Sequence, residues 1–386
     1  MDRFKIFALA SNHPDPINKY WGLYNKWSIE ALTEKGIEVN AIIPRPYSPP
    51  FLKYSQIPSK ELNGLYPKYY PRFWYLLPKR IFYGLSGESY SKHIGKYLKN
   101  NFSSPDLVHA FHIYLDGYGG LKYCKKYNIP LVVTANGTIE REISSWKNIK
   151  PKIIETLDYS SKILCVSNDL ARIIEEMGIP KHKITTVPLG ISLERFKPEK
   201  KMEIKRANGI ENYKIILFVG QLTEKKGLKT LINASEIILK KYGDNIKFII
   251  IGNGKFRKEI PKKDNILTMN NLSSEELADW FVAADIFTLP SLAEGRPTVI
   301  YEAMASECAV VATNVGGIPE QVKNGYNGFL VEPKKPNMLA EKIIYLLDNE
   351  NEMIKMGKNG KKRIIEEGWT TGEYAKKTID VYKKLF

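Results

Sequence analysis

Cysteine is scarce in this 386-residue chain: Cys124, Cys165 and Cys308 lie far apart and form no CxxC pair. A disulfide framework and a zinc knuckle are thereby excluded, and a reducing, cytoplasmic setting fits. No apolar run approaches the ~20 residues that a bilayer-spanning helix requires. The opening residues, MDRFKIFALA, carry too short an apolar stretch for a secretory signal and read as a first strand. Low-complexity linkers, short repeats and an Asp-x-Asp pair are also missing. Acidic residues are outnumbered: 42 Asp+Glu stand against 58 Lys+Arg, a formal net charge of +16. Nucleic acid, an anionic membrane surface or a phosphorylated substrate would each suit that balance. The lysines are scattered, as at Lys240-Lys241, Lys334-Lys335 and Lys361-Lys362, so most of the excess reads as solvated surface. No nucleic-acid motif accompanies them, and no nucleic-acid partner is expected.

What remains is ordinary globular composition, 43% hydrophobic and 26% charged, in a chain long enough for two or three domains. Short β-branched runs at 4–9, 39–43, 107–110, 131–134 and 163–166 alternate with amphipathic stretches. A second series follows at 215–219, 247–251, 286–289 and 309–312, with helix-like stretches at 24–35, 228–241, 274–284 and 336–348. This βαβα rhythm, run twice, predicts an α/β protein with parallel sheets covered by helices on both faces. The seam is expected near 188–212. Two doubly wound domains facing each other would bind ligand in a cleft at the carboxyl ends of their strands. One segment breaks the rhythm: residues 66–83, YPKYYPRFWYLLPKRIFY, are too rich in proline for one helix. Its mixed aromatic and basic side chains suit a membrane interface or an amphiphilic acceptor, or equally a long loop packing its rings onto the first domain.

Chemistry is densest in residues 287–305, FTLPSLAEGRPTVIYEAMA. A strand ends at Leu289, a Pro-Ser turn follows, and Glu294 and Gly295 lie in the loop. Pro297 marks the start of a helix. Free backbone N–H groups at such a start favour an anion, phosphate above all, and Gly295 lets a ligand approach the main chain. Glu302 lies about a turn and a half into the helix, so the two carboxylates reach different parts of one elongated ligand. Both accept hydrogen bonds of the kind sugar hydroxyls donate.

The frame P-S-x-x-E-G-x-P-x-x-x-x-E-A-M-A resembles the retaining family 4 glycosyltransferases of the GT-B fold, whose two facing Rossmann-like domains enclose a cleft. Further marks are Phe218-Val219-Gly220-Gln221-Leu222 with Lys226-Gly227, Ile251-Gly252-Asn253-Gly254, Gly316-Gly317-Ile318-Pro319-Glu320 and Asn324–Leu330. The resemblance implies an acceptor-binding domain at 1–195, a sugar-nucleotide domain at 196–371, and a last helix, 372–386, packing back on the first. It implies a metal-independent hexosyl transfer, with no cofactor, from a nucleoside diphosphate sugar to a hydroxyl of a glycan or lipid-linked acceptor. Such work belongs to surface polysaccharide or lipid-linked glycan synthesis, in the cytoplasm or peripherally at the membrane's cytoplasmic face. Glu302 would then bond the ribose and Glu294 the donor sugar. Lys226 would neutralise the departing diphosphate, with Gly220, Gln221, Gly254, Gly295, Arg296, Pro297 and Thr298 along the donor.

The chain departs from the family pattern in several places: the opening loop 12–22 has only Gly22 where the family often has a Gly pair, and Asn270 stands where the family has Gly. Gln221 stands where the family has Arg, which leaves Arg296 or Lys225 to supply charge. Asn136, in Val133-Thr134-Ala135-Asn136-Gly137, stands where the family has a catalytic-side His. His109-Ala110-Phe111-His112 inverts the family's H-A-H-F. Asn136-Gly137 is equally a turn dipeptide, His112 equally a core histidine, and Asp116-Gly117 reads as a turn. These substitutions leave open a sugar-nucleotide-binding protein without turnover, beside a sugar-nucleotide epimerase or a glycogen-type synthase.

Overall fold

The computed structural model describes residues 4–77, 79–137, 147–270 and 272–386. The chain divides into two compact units, one of residues 1–190 and 371–386, the other of residues 191–370.

In the first unit the strands are β1 (Lys5–Leu9), β2 (Glu38–Ile42), β3 (Arg45–Pro46), β4 (Lys60–Glu61), β5 (Lys68–Tyr69), β6 (Arg72–Phe73), β7 (Leu107–Ala110), β8 (Leu131–Ala135), β9 (Lys162–Cys165) and β10 (Ile184–Thr186). Eight form one sheet in the order β10-β9-β8-β7-β1-β2-β5-β4, and β3 pairs with β6 apart from it. All the pairs are parallel except β4 with β5. Helices α1 (Leu23–Glu34), α2 (Lys79–Asn101), α3 (Tyr118–Tyr127), α4 (Lys150–Tyr159) and α5 (Asn168–Glu176) make the crossovers. β7 and β8 are buried at every residue, as parallel strands covered on both faces must be, and this is why their sequences read as unbroken apolar runs. The strand order reverses between β1 and β7, with connections running outward to both sides.

The Pro-rich stretch 66–83 splits its rings between two environments. Tyr66, Tyr70, Phe73 and Tyr83 are buried, whereas Trp74, Leu76, Leu77 and Ile81 are exposed. The reading as a loop packing its rings onto the first domain therefore holds for the buried rings, and the remaining side chains are open to solvent. The buried Arg45 anchors the stretch that follows β1: it pairs with Asp15 at 2.7 Å and donates to the carbonyls of Ser11 and His13.

The second unit holds β11 (Lys214–Val219), β12 (Ile246–Ile251), β13 (Ile266–Met269), β14 (Ile286–Leu289), β15 (Ala309–Thr313) and β16 (Gly328–Val331), with α6 (Lys201–Ala207), α7 (Leu228–Tyr242), α8 (Ser274–Ala283), α9 (Thr298–Ala305), α10 (Ile318–Gln321), α11 (Pro336–Asp348) and α12 (Glu350–Glu366). Its sheet is wholly parallel, in the order β13-β12-β11-β14-β15-β16. Counted within the unit this is 3-2-1-4-5-6, the doubly wound order whose crevice opens between the first and fourth strands. At the opposite, amino ends of those strands the buried Asp285 takes Lys205 at 2.7 Å, Lys201 at 3.2 Å and the backbone N–H of Ile215 at 2.8 Å. That network ties β14 to β11. Deleting one partner of such a buried pair costs about 3–5 kcal/mol.

The seam falls at Gly190–Ile191 rather than after 195. Ile191 donates its N–H to the Trp369 carbonyl at 3.0 Å and bridges to Thr370, so the stretch from Ile191 onward is held by the second unit. The last helix, α13 (Thr371–Lys383), belongs to the first unit. There the Tyr382 hydroxyl meets Nδ1 of the buried His109 at 2.6 Å, and Thr134 Oγ1 meets its Nε2 at 2.8 Å. Burial lowers the pKa of His109 to about 3, so the ring is neutral, one nitrogen donating and the other accepting.

Candidate active site

In the second unit the loops after β11 and β14 meet at the point where strand order reverses. Gly227, the residue before α7, has φ 71°. A Cβ there would lie 1.8 Å from the Pro290 carbonyl oxygen, so only glycine lets the two loops touch. The Leu292 N–H bonds the Lys225 carbonyl at 2.8 Å, and Thr313 Oγ1 donates to the Ser291 carbonyl at 2.6 Å. The result is a fixed seat for Glu294. Its Oε1 accepts from Lys226 Nζ at 2.6 Å and from Ser291 Oγ at 2.6 Å. The carboxylate is buried, while about a quarter of the Lys226 side chain stays open to solvent, 24%. One reachable cation is thus held beside one shielded anion, with sequence positions 68 apart.

Next to this pair, the Gly295 carbonyl accepts from the Gly317 N–H at 2.8 Å, and the Pro297 carbonyl from Gln321 Nε2 at 3.1 Å. Pro297 is the N-cap of α9, and Thr298 its first residue. Glu302, farther along that helix, is 5% exposed. Among the described residues its carboxyl group has no hydrogen-bond or ion-pair partner. Burial raises its pKa to about 7, against the opposing pull of Arg195. An unpartnered buried carboxyl is costly, and donors brought by a ligand would relieve that cost.

The loops after β11 and β12 are locked backbone to backbone. Leu222 N–H bonds the Asn253 carbonyl at 2.8 Å, and Gly220 N–H the Ile251 carbonyl at 3.0 Å. A Cβ on Gly254 would lie 2.2 Å from the Leu222 carbonyl oxygen. Gly220, Gln221 and Gly254 therefore share one rim, on which the Gln221 side chain is exposed. Beside them Asn270 Nδ2 donates to Asn253 Oδ1 at 3.0 Å.

Arg296 is placed differently from its expected position along the donor. Its guanidinium is buried, pairs with Glu320 at 2.7 Å, bonds the Tyr301 hydroxyl and lies 4.8 Å from the Trp369 ring centroid. Its charge is already matched inside the unit, which leaves Lys226 as the cation beside Glu294. Sequence reasoning overlooked Ser291, Glu320 and Trp369. Ser291 sits in the quoted motif three residues before Glu294, and that spacing was its available signal.

Asn136 lies in the first unit, at the end of β8. Its Nδ2 donates to the Phe111 carbonyl at 2.7 Å, while its buried Oδ1 has no partner among the described residues. The neighbouring strand ends carry a polar cluster that the sequence did not announce. Asp116, fully buried, accepts from the Ser11 N–H at 2.9 Å and the Tyr90 hydroxyl at 2.7 Å, and meets His112 Nδ1 at 3.3 Å. His112 Nε2 in turn lies 3.0 Å from the Tyr24 hydroxyl and 3.3 Å from Asn12 Nδ2. Asp116 had read as a turn residue; it is the hub of the loops after β1 and β7. It is presented by the irregular turn Ile113–Gly117, in which Tyr114 is extended at φ −128° and ψ 137°.

Known proteins carry the same organisation. Residues 29–195 match the family model described as Glycosyltransferase Family 4, and residues 200–363 the one described as Glycosyl transferases group 1. A Bacillus subtilis protein assigned to teichuronic acid biosynthesis, the glycosyltransferase TuaC, is 27% identical over 351 residues, covering 88% of each chain. An uncharacterized glycosyltransferase of Methanocaldococcus jannaschii is 31% identical over 296 residues, which cover 73% of this chain and 78% of the relative. Among solved structures, HepE of Anabaena in complex with UDP-glucose superposes with a TM-score of 0.76 at 16% identity, covering 99% of this chain and 100% of that one. A crevice at a reversal of strand order, two adjoining family models and an archaeal relative at this identity lead to one assignment: the chain belongs to the group 1, family 4 glycosyltransferases of the GT-B fold.

Proposed function

We propose that this glycosyltransferase moves a hexosyl group from a nucleoside diphosphate sugar to an acceptor hydroxyl with retention of configuration and without a metal ion. The observation that carries the reading is the Lys226–Glu294 pair, 2.6 Å apart in the crevice of the second unit. Glu294 accepts hydrogen bonds from donor-sugar hydroxyls. Lys226, half released from its carboxylate, takes the diphosphate as its negative charge grows. A cation that gains most in the transition state lowers the barrier rather than merely tightening binding. N–H groups at the start of α9 assist on the same phosphates. Glu302 accepts both ribose hydroxyls, and Gly220, Gln221 and Gly254 let the nucleotide lie against the loops after β11 and β12.

The bond between the anomeric carbon and the diphosphate oxygen breaks as the acceptor oxygen attacks from the same face. The acceptor's proton passes to the leaving phosphate. The protein supplies position and charge, not a covalent nucleophile. Supporting a nucleoside diphosphate sugar as donor, HepE binds UDP-glucose. TuaC's assignment to teichuronic acid biosynthesis supports an acceptor in surface polysaccharide or lipid-linked glycan synthesis, presented at the cytoplasmic face of a membrane.

The test is a mass-spectrometric screen of nucleoside diphosphate sugars, with and without glycan and lipid-linked acceptors. Release of the nucleoside diphosphate and an α-linked product from an α-linked donor are expected, insensitive to chelators. An inverted linkage, or loss of turnover with a chelator and recovery with a divalent ion, would refute the mechanism. Nucleotide binding by intact protein with no turnover of any donor would instead favour a non-catalytic binder.

A further inference from the structure

More than half of the large hydrophobic side chains exposed among the described residues fall between positions 47 and 85 of the first unit. They include Phe51 at 85% exposed, Leu77 at 72%, Ile81 at 65% and Trp74 at 59%. Isolated exposed hydrophobics need no explanation, but a local concentration of them marks an interaction surface.

Their contacts make one surface of several of them. The Tyr47 and Trp74 rings lie 4.7 Å apart, and the Tyr47 N–H bonds the Phe73 carbonyl at 2.8 Å. The Trp74 N–H is held by Ser89 Oγ at 3.0 Å and the Leu76 N–H by Ser86 Oγ at 2.9 Å, both on α2. Ile81 and Leu85 are exposed one turn apart on that helix, and Leu85 is one turn from Ser89. The exposed stripe continues through Lys92, Lys96 and Lys99. Past its first residues the helix thus shows solvent apolar Ile81 and Leu85 and then cationic Lys92, Lys96 and Lys99, with an aromatic pair alongside.

Charge identifies the occupant. Residues 47–101 contain nine lysines and arginines against two glutamates. Both glutamates are already paired, Glu61 with Lys68 and Glu88 with Lys122 and Lys152. Aromatic and aliphatic side chains that enter the acyl boundary, flanked by lysines that meet phosphate headgroups, are the physical recipe for lying on an anionic bilayer. No helix among the described residues is long and apolar enough to cross one.

We propose that this face, Tyr47, Phe51, Trp74, Leu77, Ile81 and Leu85 with Lys92, Lys96 and Lys99, docks the first unit on the surface of an anionic lipid bilayer. It names the physical partner of the membrane-presented acceptor proposed above and rests on that reading for its purpose, but not for its test.

The full chain is sedimented with sucrose-loaded vesicles of phosphatidylcholine alone, or with about one third phosphatidylglycerol. Binding to the anionic vesicles, weakened by salt, is expected. The triple change Leu77→Glu, Ile81→Glu and Leu85→Glu is expected to lower it roughly tenfold or more. Changing Lys92, Lys96 and Lys99 to Glu removes the preference for anionic lipid. Ile365→Glu, exposed on the second unit, leaves binding unchanged. Circular dichroism of each variant checks that it is folded. Wild-type protein that ignores both vesicles, or equal binding by all the variants, overturns the proposal. So does a dimer in sedimentation velocity that the apolar triple variant dissolves, since the face is then covered by a second copy. A nucleotide thermal shift on the same samples reports separately on the transfer reading.

Discussion

At the carboxyl end of β7 the buried Asp116 has a hydrogen-bonding group at each turn: a backbone N–H, a tyrosine hydroxyl and an imidazole. Just beyond β14, the buried Glu302 has none among the described residues. Both lie near the place where their sheet reverses strand order. The first carboxylate holds its own loops together and is complete without a ligand. The second is incomplete, and its neighbour Glu294 shares a cation that a ligand can draw away. On the proposed function, the number of donors that the chain itself supplies, rather than burial, separates a structural acid from a binding one.

The sharpest way to break that contrast is at Glu294. Glu294→Gln keeps the shape and removes the charge that pairs with Lys226. Transfer is expected to fall about 10²–10³-fold, some 3–4 kcal/mol of transition-state stabilisation, while nucleoside diphosphate affinity shifts by only a few-fold. Lys226→Ala should lose a similar factor and bind the diphosphate more weakly as well. Initial rates and calorimetric binding on the same preparations separate the two effects. A Glu294→Gln enzyme with undiminished kcat would remove Glu294 from the chemistry.

Second in size is Gly227→Ala. The new methyl would collide with the Pro290 carbonyl at 1.8 Å, in a backbone conformation of φ 71° that L-residues resist. A loss of about 2–4 kcal/mol in urea unfolding is expected, together with loss of turnover, because the loops carrying Lys226 and Glu294 are forced apart. Gly209→Ala, at φ 64° with nothing near its Cβ, is the control and gives the matched ~1 kcal/mol backbone cost. Gly243 also has open space around it, but at φ 54° and ψ −128° it lies outside the left-handed helical region. Equal losses at the two positions would mean that the close approach to Pro290 has no energetic weight.

Asp116→Asn probes the first unit. The amide oxygen keeps the bonds from Ser11 and Tyr90, but its NH₂ now faces His112 Nδ1 and forces the imidazole to the other tautomer. A loss of about 1–2 kcal/mol is expected, with an unchanged dependence on denaturant concentration. The His112 ring nitrogen shifts in ¹⁵N spectra would report the tautomer change. An unaltered tautomer would show that Asp116 does not orient the ring.

The same contrast explains what could be read in advance. β11, β12, β14 and β15 announced themselves because parallel strands buried on both faces read as apolar runs, whereas the four-residue, mostly half-buried β13 was not anticipated. Glu294, Gly295 and Glu302 fall within nine consecutive residues, so local spacing was enough to place them in one loop and the helix after it; their part in binding belongs to the proposed function. Lys226 needed only a Lys-Gly pair after a strand. The Asp116 hub, on an irregular turn, joins residues 105 apart, and no local pattern encodes that. Arg296 was misplaced for a related reason. Its partners Glu320 and Trp369 come from distant segments, and only packing shows that its charge is answered within the unit. The two-residue strands β3 to β6 were not anticipated, since so few residues show no periodicity.

Glu302 gives the smallest effect and the finest measure of the contrast. With its pKa raised to about 7 by burial, the carboxyl is half protonated near neutrality. Ribose hydroxyls donate to the ionised form, so donor affinity should rise with pH, roughly tenfold between about pH 6 and 8. A nucleoside diphosphate sugar is the right probe, because its diphosphate does not itself titrate in that window. Stability should move the other way. The folded-state pKa lies above the ordinary carboxyl value of 4.5, so this group's contribution to stability is fully present below that value and is lost as pH rises through about 7. Glu302→Gln should therefore bind donor more weakly at pH 8, flatten the pH dependence of affinity and stabilise the free protein at high pH. Calorimetric titrations and thermal melts across pH 5.5–8.5 follow both trends. If affinity in the wild type is flat while the melting temperature falls, Glu302 is a buried acid with no ligand to answer it, and the difference from Asp116 is one of stability alone.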